Sequence, residues 1–448
     1  MTAMEHSVVL DYTRCRGCTT CIKTCPTEAI RVRRGKARIL SDRCIDCGRC
    51  IQVCPHRAMK PLSDSLDRLK QYPYCVAVPE PSLYGQFHHL GNVDLILGGL
   101  LKVGFNKVFE AAKAAEILAE YVSQREKESP RRALPLISPQ CPAILRLIRI
   151  RFPHLIEHLD PLVMPMELAA TLARKEACAE TGLPPEEIGV FAIVPCPAKV
   201  TAAHSPEGLD APVLDGAFSI QELYLRLLRP MEELKDPLPL MASGKVGMGV
   251  AIAGGESRSR QAQRYVAVDG IENCIQMLEE IEDERQPEVD FIELSACTQG
   301  CVGGCLNVEN PYIAKMRIQR MMEELPAFTW PAEPEELDRE ITTFSRMPQY
   351  SPAFRLDPDR AEAMAKHLRI EAFEATLPGL HCGSCGAPNC HAFAEDVVQG
   401  RSSADDCIFK VRERMRDVAG PDGTDAYLPP PFRQKKQTAK DGAQSGTV

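Results

Sequence analysis

From residue 74 onward the chain alternates between two hydrophobic patterns. Short, nearly continuous apolar runs at 74–78, 107–109, 136–138, 189–194 and 289–294 have the length and composition of buried strands. Between them, apolar residues recur at three- and four-residue spacing at Ala111–Glu128, 144–151, 166–180 and 219–228, which predicts helices. The first of these is rich in Ala, Leu, Lys and Glu and is stopped by Pro130. A further apolar run, 246–253, follows Ser243-Gly244-Lys245; no glycine precedes Gly244 by five, so it is not a phosphate loop. Strands and helices in alternation predict an α/β core on a mainly parallel sheet. Ligands of such sheets gather outside the carboxyl ends of the strands. Residues 61–74, with Pro61 and Pro73, read as a linker, and 326–357, rich in proline and acid around Trp330-Pro331, as a partly extended connector. A helix pattern resumes at 359–375, and beyond Gly420 the Pro429-Pro430-Pro431 run and polar end predict a disordered tail.

Length and charge narrow the class. At 448 residues the chain has room for two to four domains. A net charge of -8 gives no basic footprint for nucleic acid. No window reaches 18 apolar residues; the best, 93–105, is broken by Asp94 and Lys102, so no membrane span is expected. Residues 1–12 are charged and lack a signal-peptide core, so a cytoplasmic protein is expected.

The 20 cysteines are clustered, which in a reducing compartment points to metal. Cys15-x2-Cys18-x2-Cys21-x3-Cys25-Pro26 recurs 29 residues later as Cys44-x2-Cys47-x2-Cys50-x3-Cys54-Pro55. Three close thiolates wrap one face of a cubane, and the fourth, before proline, crosses to the other cluster. Cys15, Cys18, Cys21 and Cys54 are therefore expected to hold one 4Fe-4S cluster, and Cys44, Cys47, Cys50 and Cys25 a second. Zinc is the other metal for such thiolates; two complete copies ending in Cys-Pro favour iron–sulfur. The segment resembles a bacterial two-cluster ferredoxin module, which passes single electrons.

Three predicted strand ends also carry cysteine: Ser138-Pro139-Gln140-Cys141-Pro142, Val194-Pro195-Cys196-Pro197-Ala198-Lys199, and Glu293-Leu-Ser295-Ala-Cys297-Thr-Gln-Gly-Cys301-Val-Gly-Gly304. On a helical turn Cys297 and Cys301 would share a face. Singly, each of Cys141 and Cys196 also reads as a buried apolar residue. Together the four match the ligand count of one cubane.

These three motifs, in order over about residues 73–325, resemble the signatures of the FeFe hydrogenase active-site domain. The resemblance implies parallel sheets flanked by helices. It implies that Cys141, Cys196, Cys297 and Cys301 bind a 4Fe-4S cluster, with Cys301 bridging to a di-iron unit carrying CO, CN and a dithiolate amine. It also implies that Lys199 hydrogen-bonds a cyanide; the lesser reading of Lys199, from its residue type alone, is a solvated surface lysine. The departures are specific. Gln140 stands where fast hydrogenases carry a proton-donating cysteine, and it cannot ionise. Val194 and Ser295 replace methionines, and Cys305 a common glycine. Val122 and Arg125 fall at the positions of two proton-relay glutamates, with Glu116 and Glu120 on another face. Proton delivery should therefore be slow. Gln140-Cys141-Pro142-Ala143, Arg151-Phe152-Pro153-His154 and Pro165-Met166-Glu167 resemble the sensory branch of the family.

Near the end, Cys382-x2-Cys385-x4-Cys390-x16-Cys407, with Phe393-Ala394 and Gly400, resembles a small single-cluster 4Fe-4S domain, so a fourth cubane is expected. Cys75, Cys178, Cys274 and Cys305 read as buried apolar residues, and no histidine is assigned. The expected domains are thus a small α+β ferredoxin domain (1–60), the active-site domain (73–325), the connector (326–357), a mainly helical 4Fe-4S domain (358–415) and the tail (420–448). Two functions follow. One is a slow hydrogenase, 2 H+ + 2 e- ⇌ H2, used as a hydrogen or redox sensor with a separate redox or signalling partner. The other is an electron-transfer or scaffold protein that keeps its cubanes and lacks the di-iron unit.

Overall fold

The structure, a computed structural model, describes residues 6–88, 92–128, 135–260, 264–283, 285, 288–328 and 333–419. The Trp330-Pro331 step and the tail from 420 lie outside the described residues. The chain divides into two compact units, Met1–Arg355 and Leu356–Val448.

The first unit is organised on two parallel sheets. In one, strands Lys107–Val108, Tyr74–Pro79, Ile188–Val194 and Gly216–Ser219 lie side by side in that order. The period of two sends alternate side chains to opposite faces, and both faces are buried. Val76, Val78, Val190, Ala192 and Val194 enter one core cluster, while Cys75, Ala77, Phe191 and Ile193 enter another. This double burial is why the runs read as continuous apolar stretches. The second sheet orders Tyr265–Asp269, Phe291–Ser295 and Leu136–Ile137, pairing Phe291 with Leu136 and Asp269 with Ser295. Helices Ala111–Glu128, Pro142–Arg151, Pro165–Thr181 and Ile220–Glu233 follow their strands as the spacing predicts.

Three local features add to this. Residues 245–249, overlapping the apolar run 246–253, form a short helix. A Cβ on Gly247 would lie 2.0 Å from the Ala112 carbonyl oxygen, so the segment is glycine-rich because it packs against the backbone of the Ala111–Glu128 helix. The 61–74 segment contains a 3₁₀ helix, Leu66–Gln71, and is tied down at Asp64, whose carboxylate accepts from the Ala217 amide and pairs with His204, both at 2.8 Å. The described part of 326–355 belongs to the first unit and holds a 3₁₀ turn, Pro334–Leu337, and a helical turn, Arg339–Thr342.

The N-terminal module pairs Val8–Leu10 with Met59–Pro61 and Ile30–Arg33 with Lys36–Ile39, both antiparallel. Two short helices, Thr20–Lys23 and Arg49–Val53, begin at equivalent places in the repeat. The module is fastened to the rest of the unit by a buried carboxylate. Asp46 accepts from the Ser7 amide at 2.9 Å, from Thr201 Oγ1 at 2.7 Å and from the Arg146 guanidinium at 2.9 Å. In the second unit, helix Arg360–Glu374 starts at Asp359, whose side chain caps the Glu362 amide. Helices Cys390–Val398 and Ile408–Ala419 follow.

Candidate iron–sulfur and active-site centre

Each Cys-Pro step at a strand end builds the same local device. Cys141 and Cys196 are the N-cap residues of helices Pro142–Arg151 and Pro197–His204, with extended backbone, and proline takes the first helical position. A thiolate at a helix N-terminus is favoured by the helix dipole. The third stretch is built differently from the expectation. Residues 297–300 form a turn through left-handed Gln299 (φ 67°) and Gly300 (φ 87°), and Cys301–Gly303 is a 3₁₀ turn, so Cys297 and Cys301 do not share a helical face. Gly304 brings this loop onto the Cys196 loop: a Cβ there would lie 2.3 Å from the Pro195 carbonyl oxygen.

The result is that Cys141, Cys196, Cys297 and Cys301 line one cavity at the carboxyl ends of both sheets, together with Lys199, Gln140 and Ser295. Burial, and then the neighbouring thiols, push Cys196 and Cys297 well above the ordinary thiol value. Burial likewise pushes Cys301 up to about 11, although Lys199 opposes it. Four converging, half-buried cysteines are a donor set that a soft metal centre completes. Gln140 Oε1 is shielded from solvent and has no hydrogen-bond partner among the described residues, which fits a cavity meant to hold a polar group.

Lys199 is buried rather than solvated, and its ammonium lies 2.7 Å from the Glu80 carboxylate. Burial alone would lower its pKa; Glu80 and the Cys301 sulfur reverse this and hold it charged. Two further carboxyls that the sequence reading did not single out as proton donors, Glu256 and Glu293, reach the same cavity. Glu256 is bonded by the Ser138 hydroxyl and by Arg260 at 2.9 Å. Glu293 accepts from the amides of Gly254 and Ser257 and from the Ser257 hydroxyl, each at 2.8 Å. Burial raises both pKa values, and the Glu293 carboxylate further disfavours ionisation of Glu256. Val122 lines the cavity, whereas Arg125 turns to Asp160 and Glu116 to the amides of Gly244 and Gly247. Glu256 announces itself only weakly in sequence, as an acid after Gly254-Gly255; Glu80 stands between two prolines.

The N-terminal thiols gather in two groups. Cys15, Cys18, Cys21 and Cys54 line one small cavity, and Cys25, Cys44, Cys47 and Cys50 line another. Burial and the other three sulfurs of its group push Cys21 up to about 12. Cys305 lies against the second group. Its Sγ would be 2.3 Å from a Cβ on Gly48, the left-handed N-cap of Arg49–Val53. The equivalent N-cap in the first repeat is Thr19, also left-handed, so Gly48 is required by the Cys305 sulfur rather than by the turn. In the second unit Cys385 and Cys407 pack on a small core with Ala387, Ala392 and Phe393; Cys390 opens its helix and Cys382 is exposed.

The described residues contain no helix long and apolar enough to cross a membrane. The family model of the iron-only hydrogenase large subunit, C-terminal domain, matches residues 74–235 and 242–305, half of the chain. A 4Fe-4S dicluster domain model matches 7–55 and an Fe-S cluster model 377–409. Iron hydrogenase 1 of Clostridium pasteurianum is 25% identical over 276 residues, covering 49% of this chain and 47% of that protein, so the match spans about half the length of this relative. An uncharacterized protein of Methanocaldococcus jannaschii is 34% identical over 53 residues, 12% of this chain and 24% of its own. Among solved structures, the FeFe-hydrogenase HydA(deltaEFG) and HydA1 from Chlamydomonas reinhardtii each align with a TM-score of 0.42 and 15% identity, covering 64% of this chain and 97% of theirs. On the family model and the residues it spans, the chain is a hydrogenase-like iron–sulfur protein and belongs to the iron-only (FeFe) hydrogenase large-subunit family.

Proposed function

We propose that this chain is a slow FeFe hydrogenase, 2 H+ + 2 e- ⇌ H2, serving hydrogen or redox sensing with a separate redox partner. The observation that carries the reading is one buried cavity where four cysteines from three strand-end loops meet a charged lysine and two protonatable carboxyls. In this reading Cys141, Cys196, Cys297 and Cys301 hold a 4Fe-4S cluster, and Cys301 also ligates a di-iron CO/CN dithiolate unit. When bound, that unit supplies the metal chemistry that joins protons and electrons. The N-terminal quartets hold two cubanes that feed electrons one at a time, and Cys382, Cys385, Cys390 and Cys407 hold the fourth. Lys199 gives the cavity a charged hydrogen-bond donor for an anionic ligand. Glu256 or Glu293 keeps a proton at the cavity wall in place of the cysteine absent at 140. Ser295 leaves room where the family carries a bulkier methionine.

Infrared spectra after anaerobic loading with the di-iron unit test this directly: CO and CN bands are expected, and their absence overturns it. A second reading, an electron-transfer or scaffold protein without the di-iron unit, draws on Gln140 and on the engagement of Lys199 by Glu80. Iron analysis separates the two, since four cubanes alone give about 16 irons per chain and the loaded enzyme about 18. Gln140→Cys places a titratable donor at the cavity and should raise turnover by about 10²-fold, read as hydrogen evolved per chain. An unchanged rate would locate the bottleneck away from position 140.

A further inference from the structure

Glu80 is held where it is by the backbone. It follows the strand Tyr74–Pro79, its amide donates to the Ile193 carbonyl at 3.1 Å, and the 3₁₀ helix Pro81–Gln86 begins at the next residue. Lys199 sits in the first turn of the helix that begins after Cys196. Both side chains are almost fully buried, 4% and 6% exposed, and both line the cavity of the four cysteines. A buried lone ammonium would be costly, and a buried lone carboxylate equally so. Paired at 2.7 Å they form a unit of zero net charge beside Cys196 and Cys301. Another acid facing Lys199 is Glu167, also buried, whose carboxyl is pushed up to about 7 by burial and so stays largely protonated below neutrality.

We propose that Glu80 is a positioning residue that both aims the Lys199 ammonium into the cavity and cancels its charge there, so that a cubane on Cys141, Cys196, Cys297 and Cys301 is harder to reduce than it would be beside an unpaired lysine. This rests on the reading of those four cysteines as cubane ligands. It extends that reading to the residue that sets the field the cubane feels. An added electron is stabilised by a nearby positive charge and destabilised by a negative one, and in a buried site that interaction is only weakly screened.

The test is a redox titration of the iron–sulfur-reconstituted protein without any di-iron unit, followed by electron paramagnetic resonance below neutral pH. The active-site cubane is identified as the signal lost in Cys196→Ser. Glu80→Gln leaves the ammonium uncompensated and should raise the potential by at least a tenfold change in the oxidised-to-reduced ratio, about 59 mV for a one-electron couple. Lys199→Met should lower it, and the double variant should return toward the wild type. A purely structural role would not produce shifts of opposite sign that cancel. A signal that forms and does not move in Glu80→Gln, or moves down, overturns the inference alone. A wild-type chain with no signal lost in Cys196→Ser overturns the cubane reading and this inference with it. Where Lys199→Met does not fold, Glu80→Gln with Glu80→Asp as the charge-retaining control decides the matter: Glu80→Asp should stay near the wild-type potential.

Discussion

Replacing Glu256 by glutamine should lower hydrogen turnover by about 10²- to 10⁴-fold while leaving the infrared pattern of the loaded protein in place. Glutamine has the same shape; its one oxygen can still accept from Arg260 while its amide NH2 donates to the Ser138 hydroxyl oxygen, so the wall of the cavity survives. It cannot carry a proton. The carboxyl it replaces is suited to do so. Burial pushes Glu256 up, Arg260 pulls it down, and the neighbouring Glu293 pushes it up again, so the two buried acids do not both ionise cheaply. The charged chain behind Glu256 runs through Arg260 and Asp160 to Arg125, which is a quarter exposed. It does not conduct protons, because guanidinium does not give one up. Its effect is electrostatic, and proton exchange with solvent must pass by way of water or Glu293. Turnover measured by gas evolution alongside infrared spectra checks the prediction. A normal rate in Glu256→Gln would assign proton delivery to Glu293 alone.

Asp160→Asn should destabilise the first unit by about 3–5 kcal/mol, the cost of breaking a buried ion pair from one side. Asp160 is fully buried and holds Arg125 through two hydrogen bonds, 2.8 and 3.0 Å, and Arg260 at 2.6 Å. Asparagine would remove the counter-charge that the two guanidinium groups share and leave Arg260 with Glu256 alone. The damage reaches the site, because Arg260 also lies 4.1 Å over the Phe291 ring on the strand that leads to Cys297. The pH dependence has a definite sign. Burial would raise the Asp160 pKa, but the charges and hydrogen bonds of Arg260 and Arg125 outweigh it and hold the carboxyl below its ordinary value. A carboxyl depressed in the folded state contributes stability that is present above its unfolded pKa, near about 3.9, and is lost as pH falls through the folded value. Urea titrations of wild type and variant should therefore differ most at neutral pH and converge in acid.

What could be read in advance was whatever is written locally. The cysteine repeats, the helix Ala111–Glu128 and the doubly buried strands announce themselves through spacing and through the period of two or 3.6, and each lies where that period puts it. What could not be read depends on partners far apart in the chain. Glu80 meets Lys199 across 119 positions, and Glu256 meets Ser138 across 118. No local pattern distinguishes these acids from the many solvated ones. The Cys297–Cys301 turn was misread as helical because four-residue spacing is silent about left-handed Gln299 and Gly300. Cys305 read as a plain apolar residue, since its sulfur acquires meaning only from Gly48, on a different module.

Asp46 has a consequence for how electrons must travel. A carrier domain on a slack tether works as a ferry, collecting charge at one dock and swinging to another. With its carboxylate locked between Ser7, Thr201 and Arg146, the N-terminal module has no such freedom. On the proposed reading it is a fixed station, and an electron donor has to be brought to it.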